Sequence, residues 1–295
     1  MIYFVTVNYY SSELIKILIA SIRAGMTSPY ELLIINNSPE ESAVHQLAGD
    51  NIRILEAGGN LGFGQGCNLG IRDVWQRDRQ GLVWLINPDA TLDQGADQHI
   101  QQCFLENSAI AILGTKIRSS EGDIWFTEGT FNPWIGSLKH RNQATQSATQ
   151  LGDQSALTRP VQWVTGCSFI INLSQFQKQP EFDKDYFLYA EDADFCLRYA
   201  KQGHSIAVTN KALVGHRVSS IIGRNQLSMY KNYTFGRLLL LKKHGTILGL
   251  STYLIYSLII AILYLPIKTD QSRGRLQGMK QFLQLKPNRT KSLKG

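Results

Sequence analysis

The sequence predicts an α/β fold in which helices flank a mostly parallel central sheet. The first half of the chain alternates short apolar runs with helical repeats, and such alternation gives parallel strands joined by right-handed crossovers. Runs such as Leu82–Ile86 are apolar throughout, which is typical of strands covered on both faces. A chain of 295 residues, 43% of them hydrophobic, supplies the core that such a sheet needs.

The first two strands and the helix between them can be placed directly. Ile2–Asn8 is predicted to be a buried strand. Ser12–Ala24 is predicted to be a helix, because its apolar residues recur at a helical period before Gly25. Tyr30–Asn36 is the second strand. In Ser38-Pro39-Glu40-Glu41 a capping Ser, a Pro at the first helical position and a Glu three residues after the cap predict a second helix.

The alternation continues to the fourth strand and then becomes less regular. Ile52–Glu56 is the third strand, a helix to about Trp75 follows it, and Leu82–Ile86 is the fourth strand. The polar stretch from Arg141 to Thr158 is expected to be a mobile loop. An apolar strand to Ile171 and an acidic helix ending at Gly203 come after it.

Cysteine spacing and the start of the chain bear on the compartment. The four cysteines lie far apart with no paired spacing, which argues against a disulfide framework and a zinc knuckle. Met1–Val5 lacks the basic flank and cleavage site of a signal peptide and leads straight into a strand. We therefore expect a protein of the reducing cytosol.

The net charge of +7 is concentrated at the end of the chain. From Lys268 to Gly295 there are eight Lys or Arg and one Asp, which gives +7, so residues 1–267 sum to zero. A nucleic-acid-binding domain carries its positive charge on a folded face, so no nucleic acid is expected as a partner. A basic tail fits an anionic membrane surface.

Two sequence features suit a phosphorylated ligand. The loop from Gly58 to Gly70 lets backbone approach a ligand and offers N–H groups at a helix start, which suits a phosphate or sugar diphosphate. A tight turn that packs a helix on the sheet is the alternative. Asn8, Asn36–Asn37 and Asn87-Pro88-Asp89 stand at strand ends, where open sheets of this class bind ligands.

Three carboxylates in four residues, Glu191, Asp192 and Asp194, follow the aromatic-rich run Phe187–Tyr189. A helix start favours their charged form, and neighbouring like charges push one pKa upward, so such a cluster can supply a general base. Acids that simply complement the helix dipole are the alternative.

The glycine loop, Asn87-Pro88-Asp89 and Glu191-Asp192 occur in this order, and the chain resembles the family 2 glycosyltransferases, particularly bacterial rhamnosyltransferase-like members. The resemblance runs from the first strand to about Arg237 and is most specific over residues 59–70 and 166–216. It implies a GT-A fold, a nucleotide-sugar donor, a divalent metal and inversion at the anomeric carbon.

The resemblance also implies the catalytic groups. Asp89 resembles the last acid of a D-x-D metal motif whose first acid is Asn87 here, and His216 matches a histidine that completes the shell of a Mn or Mg ion. On the residues alone, Asn-Pro-Asp is also a simple turn and His216 a solvated loop residue. Asp192 matches the base that removes the acceptor proton.

Further positions are expected to contact the substrates. Asn36 stands where the family usually has an Asp that accepts from the base ring, and an Asn oxygen can accept the same bond. Arg198 is expected to pair with an acid one turn back. The expected donor-binding residues are Asn8, Asn36, Asn60, Gly62, Gly64, Asn68 and Asn87. The expected acceptor-binding residues are Gly166, Glu191 and Asp194.

Two further sets of side chains are weaker candidates: three aromatic residues, and five histidines that are expected to have a surface or packing role. The aromatic residues that could stack on an acceptor sugar or fill the core are Trp125, Phe126 and Trp134. The histidines without partners at ligand spacing are His45, His99, His140, His204 and His244.

Thr246 to Ile267 contains no charged residue over 22 positions, which is enough for a spanning helix. One span would put the basic tail outside a cytosolic body, against the positive-inside tendency. We therefore expect a GT-A domain over residues 1–243, and over 244–295 a helix and basic tail on the inner face of the cell membrane. A helix packed on the domain or on a second copy is the alternative.

The resemblance implies an inverting, metal-dependent transferase. It moves a sugar, with rhamnose indicated by the subfamily resemblance, from a dTDP- or UDP-linked donor to a lipid-linked glycan or polysaccharide. Because Asn36 and Asn87 replace acids, a non-catalytic nucleotide-sugar or glycan-binding protein is the alternative. A nicotinamide oxidoreductase would need a glycine fingerprint after the first strand, and the sequence has none.

Overall fold

A ten-stranded mixed sheet organises most of the chain in the computed structural model, which describes residues 1–142, 156–217 and 225–285. Its main path has the order β10-β12-β6-β11-β4-β1-β2-β3, while β5 pairs with β12 and β7 with β6. The strands are β1 Ile2–Asn8, β2 Tyr30–Asn36, β3 Ile52–Glu56, β4 Leu82–Ile86, β5 Ala90–Leu92, β6 Ile110–Ser119, β7 Ile124–Phe126, β8 Glu128–Asn132, β9 Ser137–Arg141, β10 Thr158–Pro160, β11 Ser168–Asn172 and β12 Ser205–His216.

Helices cover the sheet and then form a separate group at the end of the chain. They are α1 Ser12–Gly25, α2 Phe63–Arg77, α3 Ala96–Glu106, α4 Glu191–Ala200, α5 Gln226–His244, α6 Ile247–Tyr264 and α7 Thr269–Leu283. Two compact units result. The first comprises Met1–Asn132 and Ser137–Gly223, and the second comprises Pro133–Gly136 and Arg224–Gly295.

The predicted parallel core is confirmed. Strands β1, β2, β3 and β4 have the predicted bounds and pair in parallel. The side chains of β1, β2 and β4 are almost all buried, because apolar runs covered on both faces leave no polar face to expose. Strand β3, at the end of the strand order, is partly exposed. Strand β11 runs antiparallel between β4 and β6, so the sheet is mixed at this side.

The helix predicted from Ser38 is wrong. Ser38–Glu41 is a turn, closed by a 2.9 Å hydrogen bond from the Glu41 N–H to the Ser38 carbonyl, and only a 3-10 helix over Ser42–Leu47 follows. The Glu41 carboxylate accepts from the backbone N–H and hydroxyl of Ser12, at 3.2 and 2.7 Å. The acid therefore caps the start of α1, and no longer helix forms after it.

Glycines in α2 let this helix lie close to the sheet. A Cβ on Gly70 would come within 2.5 Å of a Val5 methyl, and one on Gly66 within 3.0 Å of a Val7 methyl. Because the sheet surface here carries branched valines, only glycine, which has no Cβ, leaves room. This spacing supports the packing alternative for part of the glycine-rich loop.

The second unit is built from α5, α6 and α7, which pack on one another. Gly274 and Gly278 of α7 lie against α5, where an added Cβ would meet the carbonyl oxygens of Leu227 and Lys231 at 2.5 Å. The start of the predicted basic tail is therefore a packed helix. Residues 143–155, the core of the loop expected to be mobile, and residues 286–295 of the tail lie outside the described residues.

Candidate active site

A strained turn delivers the acidic cluster. Tyr189 and Ala190 have φ angles of 71° and 67°, so two consecutive residues with a Cβ occupy the left-handed region. Ala190 is the N-cap of α4, and Glu191 is the first helical residue. Left-handed backbone at such residues costs free energy and persists where the surroundings enforce it. The turn fixes how the three carboxylates leave the helix.

Asp192 is the half-buried carboxylate of the cluster. Its Oδ2 accepts the backbone N–H of Gly166 at 3.0 Å, and its Oδ1 accepts the N–H of Ala193 at 2.8 Å. A Cβ on Gly166 would come within 2.7 Å of the Phe63 ring, so a glycine is required where this N–H approaches. Desolvation raises the pKa of Asp192, and these N–H groups oppose the rise because they favour the charged form.

The other two acids of the cluster are inaccessible. Asp194 is fully buried and forms an ion pair with Arg198 at 3.2 Å, as predicted for an acid one turn back. Its acceptor-binding role is thus not what this geometry favours. Glu191 is 5% exposed, and its Oε2 is buried without a hydrogen-bond partner among the described residues. Desolvation and the charge of Asp192 raise the pKa of Glu191 to about 8.

Asp89, in the turn before β5, meets His216 at the end of β12. Pairing of β5 with β12 places His216 opposite Ala90, and the Nε2 of His216 lies 3.1 Å from the Oδ1 of Asp89. Both side chains are buried, and the Nδ1 of His216 has no hydrogen-bond partner among the described residues. A carboxylate oxygen beside an imidazole nitrogen is a donor pair that suits Mn or Mg.

One short path of backbone joins Asp89 to Asp192. The N–H of Asn87 donates to the carbonyl of Cys167 at 3.2 Å, and the neighbouring Gly166 N–H binds the Asp192 carboxylate. The Asn-Pro-Asp turn and the acidic helix are therefore held against the same two residues. Within the described residues, no group of three or more His, Cys, Asp or Glu could hold a metal.

Aromatic rings line the same region. The ring of Trp125 lies 4.8 Å from that of His216, and the His140 ring lies 5.5 Å from Trp125 and 5.0 Å from Trp163. Desolvation by this packing lowers the pKa of His140, against the charge of Asp192. The sequence predicts a surface or packing role for His140. Its interaction with Asp192 could not be seen there, because strand β9 supplies His140 from a distant part of the chain.

The other two candidate stacking aromatics, Phe126 and Trp134, differ from Trp125. The ring of Phe126 packs among those of Trp125, His140 and Trp163. Phe126 is fully buried, so core packing explains it. Trp134 is 63% exposed and belongs to the second unit. Trp125 therefore stays as the residue for which a stacking role is predicted.

The glycine loop is fixed by contacts within the protein. The side chain of Asn60 accepts the Gly62 N–H at 3.0 Å, and Asn37 donates to the Gly62 carbonyl at 3.0 Å. Gly62 has a φ of 81°, and a Cβ there would meet the Phe187 carbonyl oxygen at 2.1 Å. The loop thus packs directly on the segment that leads to the acidic helix.

Two of the expected donor-binding residues are committed to the protein itself. Both polar atoms of Asn68 bind the backbone of Phe182, at 2.9 and 2.7 Å. A Cβ on Gly64 would meet the Phe182 side chain at 3.0 Å. These contacts favour a positioning role, and the predicted donor contacts of Asn8, Asn60, Gly62 and Asn87 stay predictions.

A polar network joins the ends of the first three strands. The Nδ2 of Asn8 donates to the Oδ1 of Asn36 at 3.2 Å and to Glu41 at 2.8 Å, and the Nδ2 of Asn36 donates to Glu56 at 3.0 Å. Although desolvation opposes it, hydrogen bonds from Ser12 and Asn8 hold the pKa of Glu41 below its ordinary value. Sequence reasoning found the two asparagines and missed both glutamates.

Comparison with known proteins identifies the family. The profile described as Glycosyl transferase family 2 matches residues 3–163, more than half of the chain. The chain belongs to glycosyl transferase family 2. It is 25% identical over 243 residues to an N-acetylglucosaminyl-diphospho-decaprenol L-rhamnosyltransferase of Mycobacterium tuberculosis, covering 76% of this chain and 78% of that protein. The predicted rhamnosyltransferase-like family is confirmed.

Solved structures confirm the GT-A fold of this family 2 glycosyltransferase. The S. aureus TarS structure in complex with UDP-GlcNAc superposes with a TM-score of 0.54 at 12% identity, covering 96% of this chain and 80% of that one. The structure of GalNAc-T7 with UDP, GalNAc and Mn2+ gives a TM-score of 0.60 at 12% identity, and the match covers 56% of that longer chain.

Replacement of Glu191 by Gln should flatten the pH dependence of stability. The folded-state pKa of about 8 lies above the ordinary value of 4.5, so Glu191 supports the fold below pH 4.5 and this support is lost as the pH rises towards 8. The free energy of unfolding of the wild type should therefore fall by up to about 1.4 kcal/mol per pH unit in this window, and Glu191→Gln should lack this fall. Urea unfolding between pH 5 and 8 measures it.

The matched control is Glu13→Gln on the exposed surface of α1, where the side chain is 77% exposed. This variant should keep the pH dependence of the wild type. Parallel pH curves for the wild type and Glu191→Gln would contradict a proton held on Glu191 in the folded state.

Proposed function

We propose that this protein is an inverting, metal-dependent glycosyltransferase. It would transfer a hexose, with rhamnose as the sugar that its rhamnosyltransferase relatives favour, from a dTDP- or UDP-linked donor to a lipid-linked glycan or polysaccharide. The observation that carries this proposal is the environment of Asp192. Its carboxylate is half-buried, while the other two acids of the cluster are inaccessible. The Gly166 N–H orients this carboxylate, and desolvation raises its pKa.

Asp192 has the properties that a single displacement needs. One group must take the proton of the acceptor hydroxyl while its oxygen attacks the anomeric carbon from the face opposite the diphosphate. A raised pKa makes the carboxylate a better proton acceptor at neutral pH. The bond to Gly166 occupies Oδ2 and so fixes the orientation of the carboxyl group.

Asp89 and His216 are the residues that would hold a divalent metal. A bound Mn or Mg ion would stabilise the negative charge that develops on the departing diphosphate. Two protein ligands are few for such an ion, and Mg typically takes substrate phosphates to complete its shell. The Asp89 and His216 pair therefore fits a metal that binds together with the donor, and Asn87 is a neutral neighbour of that pair.

Helix α6 supports a role at a membrane. It is the one helix of the described residues that is long and apolar enough to cross a membrane, with a mean hydropathy of 2.0 and 22% of its residues buried. Its buried residues form one stripe: Gly249, Tyr253, Ser257 and Ala261. On other faces, Leu248, Ile255 and Ile262 are 63%, 58% and 60% exposed. The largely exposed helix disfavours the alternative of a core helix.

The neighbours of α6 favour a helix in the membrane interface over a spanning one. Helix α7 packs against both α5 and α6 and carries Arg273, Arg275 and Lys280. A spanning α6 would bring these charges into the hydrocarbon, where each costs about 2.5–3.5 kcal/mol. An interfacial α6 buries its apolar face among acyl chains while exposed bases such as Arg273 and Lys280 meet anionic head groups. We place the protein on the inner, cytoplasmic face of the membrane.

Asp192→Asn should lower transfer by about 10²- to 10⁴-fold, because an amide cannot take the acceptor proton. Donor binding should be unchanged, since the amide oxygen can still accept the Gly166 N–H. Turnover of dTDP-rhamnose and UDP-sugars with a lipid-linked acceptor and Mn, together with donor titration, measures both quantities.

Asp185→Asn is the matched control, because Asp185 is a half-buried acid of the same segment outside the site. It should keep wild-type turnover. Near-normal transfer by Asp192→Asn would remove Asp192 from the role of base, and a wild type that binds the donor but transfers nothing would favour the non-catalytic alternative.

Full-length protein should float with liposomes that contain anionic lipid, and Ile255→Glu with Ile262→Glu should abolish this binding. Both side chains are exposed on α6, so the charges disrupt insertion without disturbing a packed core. The same change at Leu105, which is 85% exposed on α3, should leave flotation intact. Flotation of the double variant at the wild-type level would contradict an interfacial role for α6.

A further inference from the structure

The ends of strands β1, β2 and β3 carry a row of polar side chains in register. Asn8 pairs opposite Asn36 in the parallel ladder, and Asn36 pairs opposite Glu56. Their side chains are joined across the strands by hydrogen bonds from Asn8 to Asn36 and from Asn36 to Glu56. The row lies at the carboxyl edge of the sheet, where open α/β sheets bind nucleotides.

The hydrogen bonds of this row fix the orientation of Asn36. Its Oδ1 accepts from the Nδ2 of Asn8 at 3.2 Å and from the backbone N–H of Ser38 at 3.2 Å. Its Nδ2 donates to both carboxylate oxygens of Glu56, at 3.3 and 3.0 Å. Asn36 is fully buried, so its amide oxygen is used inside the protein and does not reach a ligand.

Glu56 is the accessible end of the row. Its side chain is 48% exposed. Besides the hydrogen bonds from Asn36, it has a polar contact with His45, whose Nε2 lies 3.8 Å from the Oε1 of Glu56. An ionised carboxylate accepts hydrogen bonds and donates none. The row therefore presents an acceptor, held by Asn36, at the carboxyl edge of the sheet. Such an acceptor suits a neutral N–H group and repels a phosphate.

Strand spacing puts Glu56 at a suitable distance from the diphosphate site. The order β4-β1-β2-β3 separates the ends of β4 and β3 by three strand spacings, or roughly 14 Å at about 4.8 Å each. Asp89 follows the end of β4 in the chain, and His216 contacts Asp89. A nucleoside diphosphate with its phosphates at Asp89 would extend its base along the strand ends towards Glu56.

We propose that Glu56 accepts the ring N3–H of the uracil or thymine of the donor, and that Asn36 is the positioning residue that holds the carboxylate in place. This inference rests on the proposed function, whose donor is a UDP- or dTDP-linked sugar. An Asp at position 36 would itself present a carboxylate. Here the Asn36 amide donates to Glu56, so the carboxylate that can accept the base N–H is the one at the end of β3.

Titration calorimetry with UDP and 3-methyluridine 5′-diphosphate, in the presence of Mn, tests the proposal on the full-length protein. The two ligands differ only at the N3–H. The wild type should bind UDP about tenfold to a hundredfold more tightly, the range expected for a hydrogen bond to a charged group. Glu56→Ala should lose this preference, and Glu56→Gln, which keeps a carbonyl acceptor, should restore part of it.

The matched control is Glu40→Gln, since Glu40 is an exposed acid near the same strand ends outside the row. It should keep the wild-type preference, and thermal unfolding should show each variant folded. Equal weakening of both ligands in Glu56→Ala, or a wild type that does not distinguish them, would overturn the proposal while leaving nucleotide binding intact. Binding of neither ligand would overturn the proposed function and this inference with it.

Discussion

The hydrogen bond from the Gly166 N–H to the Asp192 carboxylate is the contact on which the site depends. It requires a glycine, because the Phe63 ring occupies the space of a Cβ, and it requires the left-handed turn at Tyr189 and Ala190 that starts α4. Through Cys167 the same backbone binds the Asn-Pro-Asp turn. One backbone segment thus positions the proposed base and the proposed metal ligands together.

The sheet order explains why these groups meet. Strands β4, β1, β2 and β3 end at one edge, and antiparallel β11 brings Gly166 and Cys167, just before its first residue, to the same edge. Pairing of β5 with β12 adds Asp89 and His216. The order of the strands therefore brings the residues of the site together. Side-chain hydrogen bonds link the polar residues at the strand ends and restrict them more than a surface loop would.

Local sequence signals predicted local structure well. The bounds of the first four strands follow from apolar runs between turn residues, and the Asp194–Arg198 ion pair follows from helical spacing. Contacts between distant segments could not be predicted in this way. The local sequence places Glu41 in a capping box that starts at Ser38. In the structure its carboxylate instead accepts the backbone N–H and the hydroxyl of Ser12 in α1. His140 has no possible metal-ligand partner near it in the sequence. The sequence predicts that the segment of α7 is part of a basic tail, and only the packing of its glycines on α5 shows that it is a packed helix. Glu56 could have been found by extending the strand-end argument to the third strand.

The pH dependence of kcat/KM for sugar transfer tests the central claim most directly, since it reports the protonation of the base in the free enzyme. We predict an acid limb whose apparent pKa lies above the ordinary Asp value of 3.8, because desolvation at α4 raises the pKa of Asp192. The limb should persist in His140→Phe, in which the neighbouring imidazole is absent. A rate that stays constant down to the ordinary range of an aspartate, or a limb that disappears with His140, would contradict the assignment of Asp192 as the base.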